Sequence, residues 1–172
     1  MNKKSIFGVV LAGGQSSRMK QDKALLDYNG RPLLDHMIDL MQQVGFSDVY
    51  VSGNVQNYNC IPDTSQYAGP ARAMYDVLQH LGDYDGVLFI PVDMPLLPAG
   101  ALQLLMKQET SGHFTDFPLP AYITSQCPSQ PPESVKTFLE SVGGQSIALP
   151  HRFVNGMKNA NTPEQWEEVM RT

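Results

Sequence analysis

Two glycines and two cations stand close together early in the chain. Gly13 and Gly14, in LAGGQSSRMKQDKALL at residues 11–26, follow the apolar run SIFGVV, with Arg18 and Lys23 a few positions further on. Consecutive glycines let a backbone approach a ligand and present successive N–H groups. Such an arrangement holds phosphate oxygens, and nearby cations then neutralise the charge. The P-loop pattern G-x-x-x-x-G-K-[ST] is not met, and GGQSSR lacks the third glycine of the dinucleotide fingerprint. A tight β-α connection is the plain alternative; the adjacent Arg and Lys favour phosphate binding. A second chemical candidate is Asp93, which ends the apolar stretch GVLFIPVD and is followed two residues later by Pro95. A carboxylate there is costly unless solvated, paired or bound to a metal. It either caps a helix in LLPAGAL or ligates Mg²⁺, an ion held by one or two carboxylates plus substrate phosphates. A third loop, IPDTSQYAGP, sets Asp63 between a short apolar run and a Gly-Pro helix entry.

The elements that must position these loops follow from periodicity. SIFGVVL is β-rich and nearly all apolar, as a strand covered on both faces should be. RPLLDHMIDLMQQV places Leu33, Leu34, Met37, Ile38, Met41 and Val44 on one helical stripe, with Pro32 near its start and Gly45 just past its end. SDVYVSG reads as the second strand. PARAMYDVLQHL reads as a helix with Pro70 in its first turn and Gly82 as its stop, and GVLFIPVD as a buried strand. Further on, PAGALQLLMKQ and PPESVKTFLESV read as helices, LPAYIT and HRFVN as short strands, and TPEQWEEVM as a helix opened by a capping box of Thr162 and Gln165. This alternation predicts an α/β three-layer sandwich with a mostly parallel, Rossmann-like sheet, in which ligands gather at the carboxyl ends of strands. The three candidate loops all lie there.

Bulk properties narrow the function classes. A chain of 172 residues with 42% hydrophobic and 17% charged residues predicts a single domain spanning 1–172. The net charge of −5 argues against a nucleic-acid partner. Yet Lys3, Lys4, Arg18, Lys20 and Lys23 gather before residue 24 with Asp22 the only acid among them, a local positive focus suited to a small anion. Cys60 and Cys127 fit no metal or disulfide pattern and read as reduced core thiols. His36, His80, His113 and His151 share no spacing and read as surface or structural residues. The first apolar stretch is short and ends in a glycine turn without a small-residue cleavage site, so it reads as a strand rather than a secretory signal. With no run long enough for a membrane span, the expectation is a cytoplasmic protein with no membrane partner.

Taken in order, LAGGQSSRMKQDKALL, PDTSQYAGP, PVDMPLLP, FPLPAYI and NANTPEQW resemble the molybdenum cofactor guanylyltransferases, the MobA-type nucleotidyltransferases. The resemblance covers nearly the whole chain. It implies a nucleotidyltransferase fold and a reaction in which the terminal phosphate of molybdopterin, or Mo-molybdopterin, attacks the α-phosphorus of Mg-GTP and expels pyrophosphate. By matching position it implies nucleotide contacts from Leu11, Ala12, Gly13 and Gly14, phosphate contact from Lys23, Mg²⁺ ligation by Asp93 and GTP binding by Asp63. Ser52 or Asn54, in VSGN, matches a nucleotide-contacting S-x-N segment, and Arg18 faces the triphosphate tail. Other proteins of molybdenum cofactor biosynthesis, or acceptor proteins of the cofactor, are the further partners so implied. The chain departs from the family pattern at Lys20, which stands for a glycine, and in GPARAM, where Arg72 adds a charge and Ala73 replaces a second glycine of GPLAGL. The stretch from Lys107 to Phe117 and the region SVGGQSIALPHRFVNG are short for the family. These departures lie toward the acceptor. They keep two alternatives in view: transfer with another base or acceptor, such as CTP or a sugar phosphate, and a nucleotide-binding protein without catalysis.

Overall fold

Ile6–Leu11 forms the central strand β1 in a computed structural model that describes residues 3–14, 22–65 and 68–172. A 3-10 turn at Lys23–Leu25 leads into a small hairpin of β2 (Asp27–Tyr28) and β3 (Arg31–Pro32) and then α1 (Leu33–Val44). Next come β4 (Val49–Ser52), β5 (Cys60–Ile61), α2 (Pro70–Leu81) and β6 (Gly86–Pro91). The later chain contributes α3 (Ala99–Lys107), β7 (Gly112–Phe114), β8 (Phe117–Ile123), α4 (Val135–Ser141), β9 (Gln145–Ile147) and α5 (Pro163–Met170).

Seven strands make one sheet in the order β5-β4-β1-β6-β8-β7-β9. The β5-β4-β1-β6 half is parallel throughout, β8 runs antiparallel to β6 and to β7, and β9 pairs parallel with β7. The sheet is thus mostly parallel, as the alternating pattern predicts. Successive residues of a strand point to opposite faces. Val10, Leu88 and Ile90 accordingly pack with buried residues of α1 and α3, whereas Val9, Leu11, Val87 and Phe89 pack with those of α2 and α4. Both faces are covered, which is why β1 and β6 read as unbroken apolar runs instead of alternating ones.

Helix boundaries follow local chemistry. Gly45 ends α1 at φ +122°, a region that side chains disfavour, and its N–H bonds to the Gln42 and Met41 carbonyls. The capping box at Thr162 and Gln165 is present. PPESVKTFLESV becomes helical only from Val135, because Ser134 caps it through the Thr137 N–H.

One element differs in kind. HRFVN is not a strand but part of a 3-10 segment, His151–Met157. The Phe153 N–H turns back to the Pro150 carbonyl at 2.9 Å, a local bond that takes the place of a sheet ladder. Phe153 and Gly156 then lie close against Gly100 and the Leu96–Pro98 stretch. The two cysteines are free but only half-buried, so they flank the core instead of filling it. Among the described residues no helix is long and apolar enough to cross a membrane.

Candidate functional site

The carboxyl ends of four parallel strands are tied to one another by backbone hydrogen bonds. Ala12 N–H donates to the Ser52 carbonyl at 3.0 Å, Gly53 N–H to Ile61 at 3.1 Å, and Val92 N–H to Leu11 at 3.1 Å. This row floors a cavity of about 510 Å³ that takes in Leu11, Ala12, Gly13, Gly14, Lys23, Asp63 and Asp93. Because β8 runs antiparallel to β6, its first residues reach the same edge, and Phe117, Pro118 and Leu119 add an apolar wall.

Asp93 sits just past β6 and does not cap α3, whose N-cap is Pro98 without a side-chain bond. Its carboxylate instead faces Lys23, with Nζ at 3.6 Å from Oδ2 and each side chain about one-fifth exposed (19% and 21%). The Asp93 carbonyl accepts from the Ala160 N–H at 2.7 Å, which pins the strand exit to the segment before α5. Lys23 Nζ also donates to Asn161 Oδ1 at 2.6 Å. Asn161 and Asn159, a cavity-lining residue, are the contributors that the reading of single loops misses. Both stand in NANTPEQW, so the signal was in the motif.

Asp63 closes another side. Ser52, fully buried at the end of β4, donates its hydroxyl to Asp63 Oδ1 at 3.0 Å. Burial pushes the Asp63 carboxyl above the usual carboxylate range, the Ser52 hydrogen bond opposes this, and the nearby negative charge of Asp76 adds to it. Of the two residues in VSGN, Ser52 therefore belongs to this network, whereas Asn54 is exposed and outside the cavity lining. Ala73 lines the cavity, while Arg72 pairs with Asp76 on its own helix at 3.0 Å. Arg18 and Lys20 lie outside the described residues.

The two glycines of LAGG differ. A Cβ on Gly13 would run into Asp63 Oδ2 and lie 3.4 Å from the Gly53 Cα, whereas one on Gly14 would meet nothing within 4 Å among the described residues. Gly13→Ala is expected to cost about 1–3 kcal/mol of stability by overpacking. Gly14→Ala should leave the melting temperature near that of the unmodified protein. Thermal melts of both variants check this, and equal losses would contradict the close approach of Asp63 to Gly13.

The sequence model of the MobA-like NTP transferase domain matches residues 8–146, from within β1 into β9, and so contains every loop of the cavity floor. The chain belongs to this family of MobA-like NTP transferases. Among relatives of this MobA-like nucleotidyltransferase, the molybdenum cofactor guanylyltransferase of Xanthomonas euvesicatoria pv. vesicatoria (strain 85-10) is 36% identical over 95% of the chain and 93% of that protein. Among solved structures, the molybdopterin-guanine dinucleotide biosynthesis protein A of Archaeoglobus fulgidus shares the fold with a TM-score of 0.71 at 16% identity, over 95% of this chain and 96% of that one. A Mycobacterium tuberculosis H37Rv protein determined as a manganese complex superposes with a TM-score of 0.67 at 15% identity, over 98% and 99% of the two chains.

Proposed function

We propose that this MobA-like transferase moves GMP from GTP to the terminal phosphate of molybdopterin or its molybdenum-loaded form. The product is a guanine dinucleotide and the by-product pyrophosphate. The observation that carries the reading is the meeting of Lys23 and Asp93, 3.6 Å apart, with the glycine turn of β1 at one cavity. We further infer that the whole reaction is carried by one domain spanning 1–172, and that it runs in the cytoplasm, where GTP is supplied.

An acceptor phosphate oxygen forms the new bond to the α-phosphorus as the bond from that phosphorus to the bridging oxygen of the β-phosphate breaks. A phosphate monoester loses its second proton near pH 6, so the attacking oxygen is already ionised at neutral pH and no side chain has to serve as base. The protein's work is placement and charge compensation. The backbone of Leu11, Ala12, Gly13 and Gly14 receives the nucleotide, Asp63 held by Ser52 fixes its other side, and Lys23 offsets charge on the phosphates, joined in this by Arg18. The apolar wall of Phe117, Pro118 and Leu119 faces the acceptor.

The donor set suits a divalent cation of the Mg²⁺ kind. Asp93 offers one accessible carboxylate at the cavity, which is enough for an ion that takes its remaining oxygens from phosphates and water. When bound, such an ion neutralises and aligns the triphosphate. The manganese complex of the mycobacterial neighbour is consistent with a divalent ion in this fold.

The direct test offers the purified protein Mg²⁺, each nucleoside triphosphate and molybdopterin, and follows pyrophosphate and dinucleotide. GTP should bind more tightly than CTP or ATP in calorimetry, because a wrong base leaves buried donors or acceptors unpaired at about 1–3 kcal/mol each. Equal or better binding of CTP, or transfer only to a sugar phosphate, would replace guanylyl transfer by a different nucleotidyl transfer. Nucleotide binding without any pyrophosphate release would leave a binding protein.

A further inference from the structure

Thr64, next in sequence to Asp63, is gripped from α2 by a closed ring of hydrogen bonds. Asp76 Oδ2 accepts both the Thr64 N–H at 3.0 Å and the Thr64 hydroxyl at 2.8 Å. Arg72, one turn earlier on the same helix face, donates Nε to Asp76 Oδ1 at 3.0 Å and Nη2 to the Thr64 hydroxyl at 2.9 Å. Asp76 is buried at 6% exposure, yet both its oxygens are satisfied. Burying a carboxylate is costly without such partners, and breaking one of them exposes that cost. The ring therefore has one low-energy arrangement, which fixes the backbone at Thr64 relative to α2.

That backbone carries Asp63. From the other side Asp63 is held through its side chain by Ser52, and it must lie against Gly13 without displacing it. We propose that Asp76 and Arg72 are positioning residues for nucleotide binding, acting through Thr64 to set where the Asp63 carboxylate stands in the cavity. The charge that Arg72 adds to the GPARAM segment is spent on this grip and not on the acceptor. This inference rests on the reading of the cavity as a nucleotide site.

A double-mutant cycle isolates the effect, since residues that act through a shared partner are not additive. The dissociation constant of Mg-GTP is measured by calorimetry for Asp76→Asn in the unmodified protein and in an Asp63→Ala background, with thermal melts alongside. The expected result is a loss of about tenfold in the first background and less than about twofold in the second, with a similar fall in melting temperature in both. Equal loss of affinity in both backgrounds, or full affinity in Asp63→Ala, would overturn the proposal. Should Asp76→Asn fail to fold, Thr64→Val serves instead. Thr64 is exposed, and the substitution removes its hydroxyl while keeping the backbone N–H. Thr64→Val should weaken Mg-GTP several-fold and Thr64→Ser should restore it; no restoration would also overturn the proposal. If the unmodified protein binds no nucleoside triphosphate at all, the nucleotide reading itself fails and takes this inference with it. Binding of another triphosphate in place of GTP corrects only the base, and the same cycle is then read with that triphosphate.

Discussion

Asp93→Asn should cut nucleotidyl transfer by about 10²–10³-fold, a loss typical of removing one preorganised electrostatic contact in an active site. The protein should stay folded. The structural duty of residue 93 is carried by its carbonyl, which accepts the Ala160 N–H at 2.7 Å, and an asparagine keeps that bond. Only the carboxylate charge and its donor strength toward a cation are lost. Lys23 retains Asn161 as a partner at 2.6 Å, so the cation should not leave its place when Asp93 is neutralised. Two measurements separate the charge from the fold. The first is the Mg²⁺ dependence of GTP binding, in which the gain in affinity that Mg²⁺ gives the unmodified protein should largely disappear in Asp93→Asn. The second is the rate at limiting Mg²⁺, where the defect should be greatest. A variant that keeps most of its activity at limiting Mg²⁺ would remove Asp93 from the metal-binding role.

The parts of the molecule that could be read without coordinates are those where one physical signal dominates. β1 and β6 are buried on both faces, so their sequences are continuously apolar. The long stripes of α1 and α2 leave little choice of period, and Pro70 and Gly82 mark the limits of the second helix. The three-residue strands β7 and β9 are too short to show any alternation, and their existence depends on pairing across the sheet. HRFVN shows the opposite failure, since five mixed residues imitate a strand when the competing local bond from Phe153 to Pro150 is unknown.

The candidate site divides in the same way. An acid at the end of an apolar strand and a lysine after a double glycine are conspicuous in the sequence, and the fold brings them within 3.6 Å. The choice between Ser52 and Asn54 depends on where β4 stops, a matter of register. Asn161 is 138 positions from Lys23, a separation over which no local pattern operates. In sequence alone, Arg72 reads as a charge added to the acceptor side. Its real partner, Asp76, lies four residues on along its own helix, a spacing that could have suggested the pair.

The other large effect is expected at Lys23. The 3-10 turn that begins with this residue is held by the Asp22 side chain accepting the Ala24 N–H at 3.0 Å, while Ala24 and Leu26 are buried beneath it. The lysine backbone is thus fixed before any ligand arrives, and the ammonium is oriented by Asn161 Oδ1 and Asp93. Asn161 is itself held, because its N–H donates at 2.8 Å to Gln165 Oε1 in the capping box of α5. A cation placed in advance stabilises charge that grows during transfer without reorganising at that moment, and it helps the transition state more than the bound substrate. Lys23→Ala should therefore lower kcat by about 10²–10³-fold and raise KM far less. Lys23→Arg should recover little, since a planar guanidinium cannot replace a compact ammonium lodged between an amide oxygen and a carboxylate. Asn161→Ala leaves the charge and removes one of the groups that orient it, so its loss should be nearer to about tenfold. This ranking is read from steady-state kinetics of the three variants, supported by GTP calorimetry. A change confined to KM in Lys23→Ala would show that the lysine only binds the ground state, and a defect in Asn161→Ala larger than in Lys23→Ala would make the asparagine the principal contact.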